Sequence, residues 1–330
     1  MIQAVLLFIV GLVLLIKGGD WFVDGATGIA ERFHLPELLI GATVVSIGTT
    51  LPEVMVSATS ALTGHGEIAY GNAIGSIICN TALIAAITIA VKPGPVDAKS
   101  LKLPLLFFFG SAILYAGIAY STGFFSRTIG ITLLIVFVVY MVLTVMQMKG
   151  TPTKQNGQTE EVSEACSEEE KKESPMWKDL LLLVVGAALI AVGADLLVDN
   201  GTLIAQALGV PESVIALTFV ALGTSLPELV TAITSLVKGH GSLSLGNVIG
   251  ANLFNLVLVS GVSVTLSPFY IPQSSMLFGQ NASLVLDIPV MFGVMLLLAL
   301  PALLKKKLYR AQGIALLMVY AAFCVTQFVM

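Results

Sequence analysis

The chain has 330 residues, 56% of them apolar and 11% charged, with a mean hydropathy of +0.96. Soluble domains carry about 25% charged residues, so this composition excludes a water-soluble globular fold and calls for a lipid bilayer as second solvent. The net charge of −4 says little about partners, because seven of the 20 acids sit in one loop, and nothing points to nucleic acid.

Windows of about 20 apolar residues predict ten spans, near 3–30, 35–62, 67–91, 101–121, 127–148, 178–204, 210–237, 242–266, 283–304 and 310–329. The first lacks a basic start and a small-residue cleavage site, and reads as a membrane helix rather than a cleaved signal. Trp21 and Trp177 fit interfacial anchors. Gly, Pro and polar residues inside the longer spans must face protein or water, since lipid gives freed backbone groups no partner. Cys79, Cys166 and Cys324 follow no spaced pattern. Cys79 and Cys324 fall in apolar segments and read as buried, inert thiols.

Positive charge sets the orientation. With the N-terminus outside, Arg32, Lys92, Lys99, Lys102, Lys149, Lys154, Lys171, Lys172, Lys178, Lys238, Lys305, Lys306, Lys307 and Arg310 all lie on the cytoplasmic side of a cell membrane. Only Arg127 is then outside, with Lys17 inside the first span. This bias predicts both termini outside. The polar segment 149–176, with its acidic run Glu168, Glu169 and Glu170, reads as a solvated cytoplasmic linker. It separates five-helix units at 1–148 and 177–330.

The two units match without a gap at an offset of 175 residues through three spans. Asp20 and Asp24 align with Asp195 and Asp199, and Pro36-Glu37 with Pro211-Glu212. The strongest match pairs hairpin 41–80 with hairpin 216–255, carrying GTTLPE and GTSLPE, then GHG twice, then GNAIGSIICN and GNVIGANLFN. Five spans is an odd number, so the second unit enters the membrane from the opposite side. The expected fold is an all-α polytopic membrane protein of ten transmembrane helices in two inverted five-helix repeats, with a site near the midplane.

Pro52 lacks an N–H, which leaves the Gly48 carbonyl without its helical partner and predicts a bend. Glu53 follows at once, and Thr49 precedes it by one turn on the same face. Thr224, Pro227 and Glu228 repeat this from the other side. In the second arm Asn72, Ser76 and Asn80 recur every four residues, matched by Asn247, Ala251 and Asn255. Gly71, Gly75, Gly246 and Gly250 are expected to admit close helix contact. A mid-membrane carboxylate costs about 2.5–3.5 kcal/mol on insertion scales, and two facing ones also repel. A lone acid often snorkels or is protonated; the symmetric pair, Glu53 and Glu228, argues for a shared cation. The surrounding donors are oxygens, which suit Ca²⁺ or Na⁺ rather than Zn²⁺ or Cu⁺. Two carboxylates balance one Ca²⁺, or hold several Na⁺ or protons, and such competition is the simplest basis of antiport. His65 and His240 read as turn residues, and Asp20, Asp24, Asp195 and Asp199 as capping or interfacial groups.

The two hairpins closely resemble the paired alpha repeats of the calcium/cation antiporter superfamily, above all those of prokaryotic sodium/calcium exchangers. The resemblance covers the whole chain. It implies a non-enzymatic secondary transporter without a cofactor, moving Ca²⁺ against Na⁺ by alternating access, with no obligate protein partner. By this likeness Glu53 and Glu228, with main-chain oxygens of Thr49 and Thr224, would hold Ca²⁺. Flanking Na⁺ sites would use the Ser46 carbonyl, Thr49, Ser76 and Glu228 on one side, and the Ala221 carbonyl, Thr224 and Glu53 on the other. Asn80 and Asn255 would lie at the centre, and the first and sixth helices would slide across this core. Two positions depart from the pattern: Ala251 replaces a ligating serine, and Asn255 stands where the second repeat usually has Asp. Both Na⁺ and H⁺ therefore stay open as the driving ion. A channel would need a continuous pore, and no protease-like paired Asp, Ser with base or HExxH occurs within the spans.

Overall fold

The computed structural model describes residues 2–150, 175–207, 223, 225–273, 276–277 and 279–329. The chain is all-α, with its helices at the predicted spans. In order they are α1 (Ile2–Arg32), α2 (Glu37–Leu62), α3 (Gly66–Val91), α4 (Ala98–Ser121) and α5 (Arg127–Gly150). The second set is α6 (Met176–Ala207), α7 (Leu226–Val237), α8 (Gly241–Leu266), α9 (Ser283–Leu304) and α10 (Arg310–Val329). Among the described residues eight helices are long and apolar enough to cross a membrane. The 12 described residues of α7 and the 20 of α10 account for the other two spans. Two short strands, Phe124–Phe125 and Phe269–Tyr270, pair antiparallel and tie the α4–α5 turn to the chain after α8.

Helices α1 and α6 pack antiparallel along a stripe of glycines seven residues apart. A Cβ at Gly11 would lie 2.9 Å from the Gly193 carbonyl oxygen, and one at Gly18 2.9 Å from that of Gly186. Seven residues is close to two helical turns, so the glycines share a face and the backbones touch. The repeat offset maps α1 onto α6, so this antiparallel pairing is the inversion made visible. Arg32 closes one end of the pair with an ion pair to Asp179 at 3.1 Å.

Helices α2 and α8 run side by side in parallel. A Cβ on Gly246 would fall 2.1 Å from the Leu38 carbonyl oxygen, and one on Gly250 2.3 Å from the Ser46 hydroxyl. Those two glycines meet the expectation of close approach. At Gly71 and Gly75 no described atom lies within 4 Å of a Cβ. The positions that the offset places opposite them, 213 and 217, lie outside the described residues.

The larger core joins α3, α4, α5, α8 and α9. It includes a ring cluster of Tyr70, Tyr115 and Phe125, with Tyr115 and Phe125 centroids 4.4 Å apart. Exposed apolar side chains such as Leu6, Ile9, Val138 and Val142 mark the faces that lipid would solvate. Cys79 is buried as expected, whereas Cys324 is only half-buried; Cys166 lies outside the described residues.

Among the described residues four helices carry a π turn, at Gly41–Val45, Asn80–Ala85, Asn255–Val259 and Ser283–Asp287. The Ser46 and Ser260 hydroxyls reach back to the Gly41 and Asn255 carbonyls at 2.8 and 3.0 Å, and the Tyr140 hydroxyl donates to the Ala42 carbonyl at 3.0 Å. These groups occupy backbone acceptors that a π turn displaces from their α-helical partners. Pro52 does not end its helix: Ser46–Leu62 stays α-helical through it, and the widened turn lies just before, at Gly41–Val45.

Candidate cation site

The two carboxylate arms meet at the centre of the molecule. Glu53 on α2 and Glu228 on α7 are both fully buried, and their carboxyl groups lie close enough to interact directly. None of the four carboxyl oxygens has a hydrogen-bond donor of proper geometry among the described residues. Buried polar atoms in proteins are nearly always satisfied, so four acceptors without donors at one point make this a candidate place for positive charge.

The atoms around them strengthen this reading. The Thr49 and Thr50 hydroxyls approach Glu228. Thr50 Oγ1, Ser225 Oγ, Asn255 Oδ1 and both polar atoms of Asn80 are buried without a partner. Asn80 and Asn255 each open a π turn at equivalent points of the two hairpins. All these groups present oxygen, apart from the Asn80 amide nitrogen. Among the described residues no three His, Cys, Asp or Glu side chains converge; carboxylate, hydroxyl and amide oxygens are the donor types that suit a hard cation.

The structure brings together Ser46, Thr49, Glu53, Ser76, Asn80, Glu228 and Asn255 as buried residues of α2, α3, α7 and α8. Ala221 and Thr224, the remaining expected ligands, lie outside the described residues. Ser46 is engaged through its hydroxyl, which sits 3.0 Å from the Asn247 carbonyl and 3.3 Å from Asn247 Oδ1. Thr49 donates to the same Oδ1 at 3.2 Å. Asn247 thus cross-links α8 to α2 beside Glu53. On the other hairpin Asn72 donates to the Ser57 hydroxyl at 2.8 Å and to the Glu53 carbonyl at 3.3 Å.

Sequence reasoning passed over Thr50 and Ser225, which belong to the same GTT and GTS strings as Thr49 and Thr224 and mark equivalent positions 175 apart. It also passed over Asn252, whose amide donates to Thr81 Oγ1 at 2.7 Å behind the site. His240 is more than a turn residue: its Nδ1 lies 2.7 Å from Glu37 Oε1, joining the start of α8 to that of α2. Asp20 and Asp24 play the interfacial role expected of them, with Asp24 2.7 Å and Asp20 3.5 Å from Lys238 Nζ at the end of α7.

The family model described as sodium/calcium exchanger protein matches residues 3–146 and 178–329. The chain is 31% identical to the sodium/calcium exchanger MaX1 of Methanosarcina acetivorans over 98% of both chains. It is 34% identical to a putative antiporter, CaxA, of Alkalimonas amylolytica, again over 98% of both. Solved structures of the sodium-calcium exchanger NCX_Mj superpose with a TM-score of 0.78 at 34% identity, covering 97% of each chain. An inverted ten-helix frame, two facing carboxylates in oxygen-rich hairpins and a family match on both sides of the central segment lead to one conclusion: this chain belongs to the sodium/calcium exchanger family of membrane antiporters.

Proposed function

We propose that the protein exchanges Ca²⁺ for Na⁺ across the cell membrane by alternating access, with Glu53 and Glu228 sharing the central cation. The observation that carries this reading is the pair of fully buried carboxylates whose four oxygens have no donor. One Ca²⁺ neutralises both charges; Na⁺ ions do the same in larger number, so the two cargoes exclude each other by electrostatics. Thr49 and Thr224 supply main-chain oxygens to Ca²⁺. The Ser46 carbonyl, Thr49, Ser76 and Glu228 hold Na⁺ on one flank, and the Ala221 carbonyl, Thr224 and Glu53 on the other, with Asn80 and Asn255 between. The close α1–α6 glycine seam supports movement of these two helices as one body over the four-helix core.

In this reading units 1–148 and 177–330 are the two repeats, segment 149–176 is a cytoplasmic linker, and both termini are outside. Opposite insertion of like halves gives outward-open and inward-open states of similar energy, which alternating access requires.

The test is ⁴⁵Ca²⁺ uptake into vesicles containing the purified protein. Uptake is expected when the vesicles are loaded with Na⁺ and diluted into Na⁺-free buffer. Uptake driven by a pH gradient alone, with none from a Na⁺ gradient, would replace Na⁺ by H⁺ as the driving ion and overturn the proposal.

A further inference from the structure

A cavity of mixed polar and apolar lining lies where α3 stops and α8 begins, and neither Glu53 nor Glu228 lines it. It has a volume of about 270 Å³ and is lined in part by Lys92, Gly94, Val96, Ser242, Ser244 and Leu308. Two loops build its rim. The α3–α4 loop and the α9–α10 loop clasp each other: Val96 N–H donates to the Lys306 carbonyl and Leu308 N–H to the Gly94 carbonyl, both at 2.9 Å.

This clasp gathers positive charge. Lys92, Lys305, Lys306 and Lys307 sit on the two loops, and Lys99 and Lys102 begin α4 beside them. All are exposed, and no ion pair among the described residues involves any of them. The carboxylates closest to the clasp in the chain or to the cavity wall are already engaged. Asp97 accepts from the Lys99 N–H and the Ser100 hydroxyl, and Glu37 faces His240.

The inner wall is the start of a helix. Residues Gly241–Phe254 form a 14-residue α-helix whose first turn enters the cavity lining through Gly241, Ser242 and Ser244. Its leading N–H groups have no helical acceptors and carry the positive end of the helix dipole. Ser244 is 2% exposed, lines the cavity, and its hydroxyl has no partner among the described residues. A phosphate oxygen would satisfy that hydroxyl and the free N–H groups while facing Lys92.

We propose that this cavity binds the phosphodiester headgroup of an anionic phospholipid on the side assigned above to the cytoplasm. A lipid is favoured over free phosphate by the apolar edge of the site. Val91 and Val237, chain neighbours of the lining residues Lys92 and Leu236, are 64% and 80% exposed, and Leu304 before the lysine run is 74% exposed. Such side chains suit acyl chains leaving the cavity along the ends of α3, α7 and α9. Basic pockets between helix ends on this side are suited to anionic headgroups, at about fivefold in affinity per lysine. The bound lipid would brace the start of α8, which carries Asn247 into the cation site.

Native mass spectrometry of the full chain in detergent, titrated with phosphatidylglycerol or phosphatidylcholine, tests this. The wild type is expected to keep one phosphatidylglycerol and no phosphatidylcholine. Lys92→Glu, at an exposed position, should weaken retention at least tenfold. Gly241→Leu should do the same by filling the cavity, since its Cβ meets no described atom within 4 Å. Equal retention of phosphatidylcholine, or undiminished retention in Lys92→Glu, overturns the proposal. Displacement of the lipid by millimolar inorganic phosphate would make the site one for free anions. Lipid binding that appears only after Glu168→Gln, Glu169→Gln and Glu170→Gln together would assign the cavity to the chain's own acidic segment. Either result rejects the lipid.

Discussion

The two hairpins share one plan but not one set of hydroxyls, and the exchanges run both ways: Thr231 and Ser244 stand where the first repeat has Val56 and Ala69. At three equivalent positions the first repeat has serine where the second has alanine: Ser46 and Ala221, Ser57 and Ala232, Ser76 and Ala251. The consequences are visible in the hydrogen bonds. Ser46 lets Asn247 bind α8 across to α2, at 3.0 Å. Ser57 gives Asn72 a partner within its own hairpin, at 2.8 Å. Ala232 is fully buried and offers Asn247 no equivalent of Ser57. A duplicated frame has thus kept its paired carboxylates while redistributing its buried hydroxyls between the halves. A symmetric pair of acids suits a single shared divalent ion.

This contrast can be attacked at several points. Gly246→Val should have the largest effect, because its Cβ would sit 2.1 Å from the Leu38 carbonyl oxygen and push α8 away from α2. A loss of about 3 kcal/mol or more is expected, at the upper end of overpacking costs, read as a collapse of the thermal transition and of monodisperse protein. Asn247→Ala comes next. It strips the acceptor from Thr49 and the cross-link from Ser46, both buried, and should cost about 1–3 kcal/mol. Asn72→Ala removes bonds from a half-buried group and should cost about 0.5–1.5 kcal/mol. Equal losses in chemical denaturation would contradict the asymmetry. The smallest effect is expected from exchanging the flanking hydroxyl. Ser76→Ala should weaken Na⁺ activation of exchange by up to about tenfold, the equivalent of one polar contact. Ala251→Ser, which adds an oxygen at a fully buried position, should strengthen it. Na⁺ curves unchanged in both variants would remove Ser76 from the cation path.

Much of the architecture is readable in the residue string, and for physical reasons. Spans are long apolar runs, which lipid demands and chance rarely produces. The repeat is visible because the paired Glu, Pro, Gly and Asn positions cannot drift without losing either the charge balance or the backbone contact. Glu53 and Glu228 stand out as charges where lipid forbids them. What stays hidden is geometry without a residue signature. The π turns at Gly41–Val45 and Asn80–Ala85 arise in stretches that read as ordinary helix. The Ser46–Asn247 contact spans 201 residues and depends on how α8 lies on α2. His240 beside Glu37 looks like a turn residue until α2 and α8 are placed side by side. Pro52 sits inside the continuous helix Ser46–Leu62, so its missing N–H frees a carbonyl without ending the helix.

The central claim is that one cation bridges the two carboxylates. Equilibrium binding of ⁴⁵Ca²⁺ to the purified protein in Na⁺-free buffer addresses it directly, compared among the wild type, Glu53→Gln, Glu228→Gln and the double variant. The shared site predicts one Ca²⁺ per chain in the wild type. It also predicts loss of at least about a hundredfold in affinity from either single change, roughly the 3 kcal/mol at the low end for breaking a buried charge pairing, with little further loss in the double variant. Near-normal Ca²⁺ binding in either single variant, or losses that simply add in the double, would contradict it.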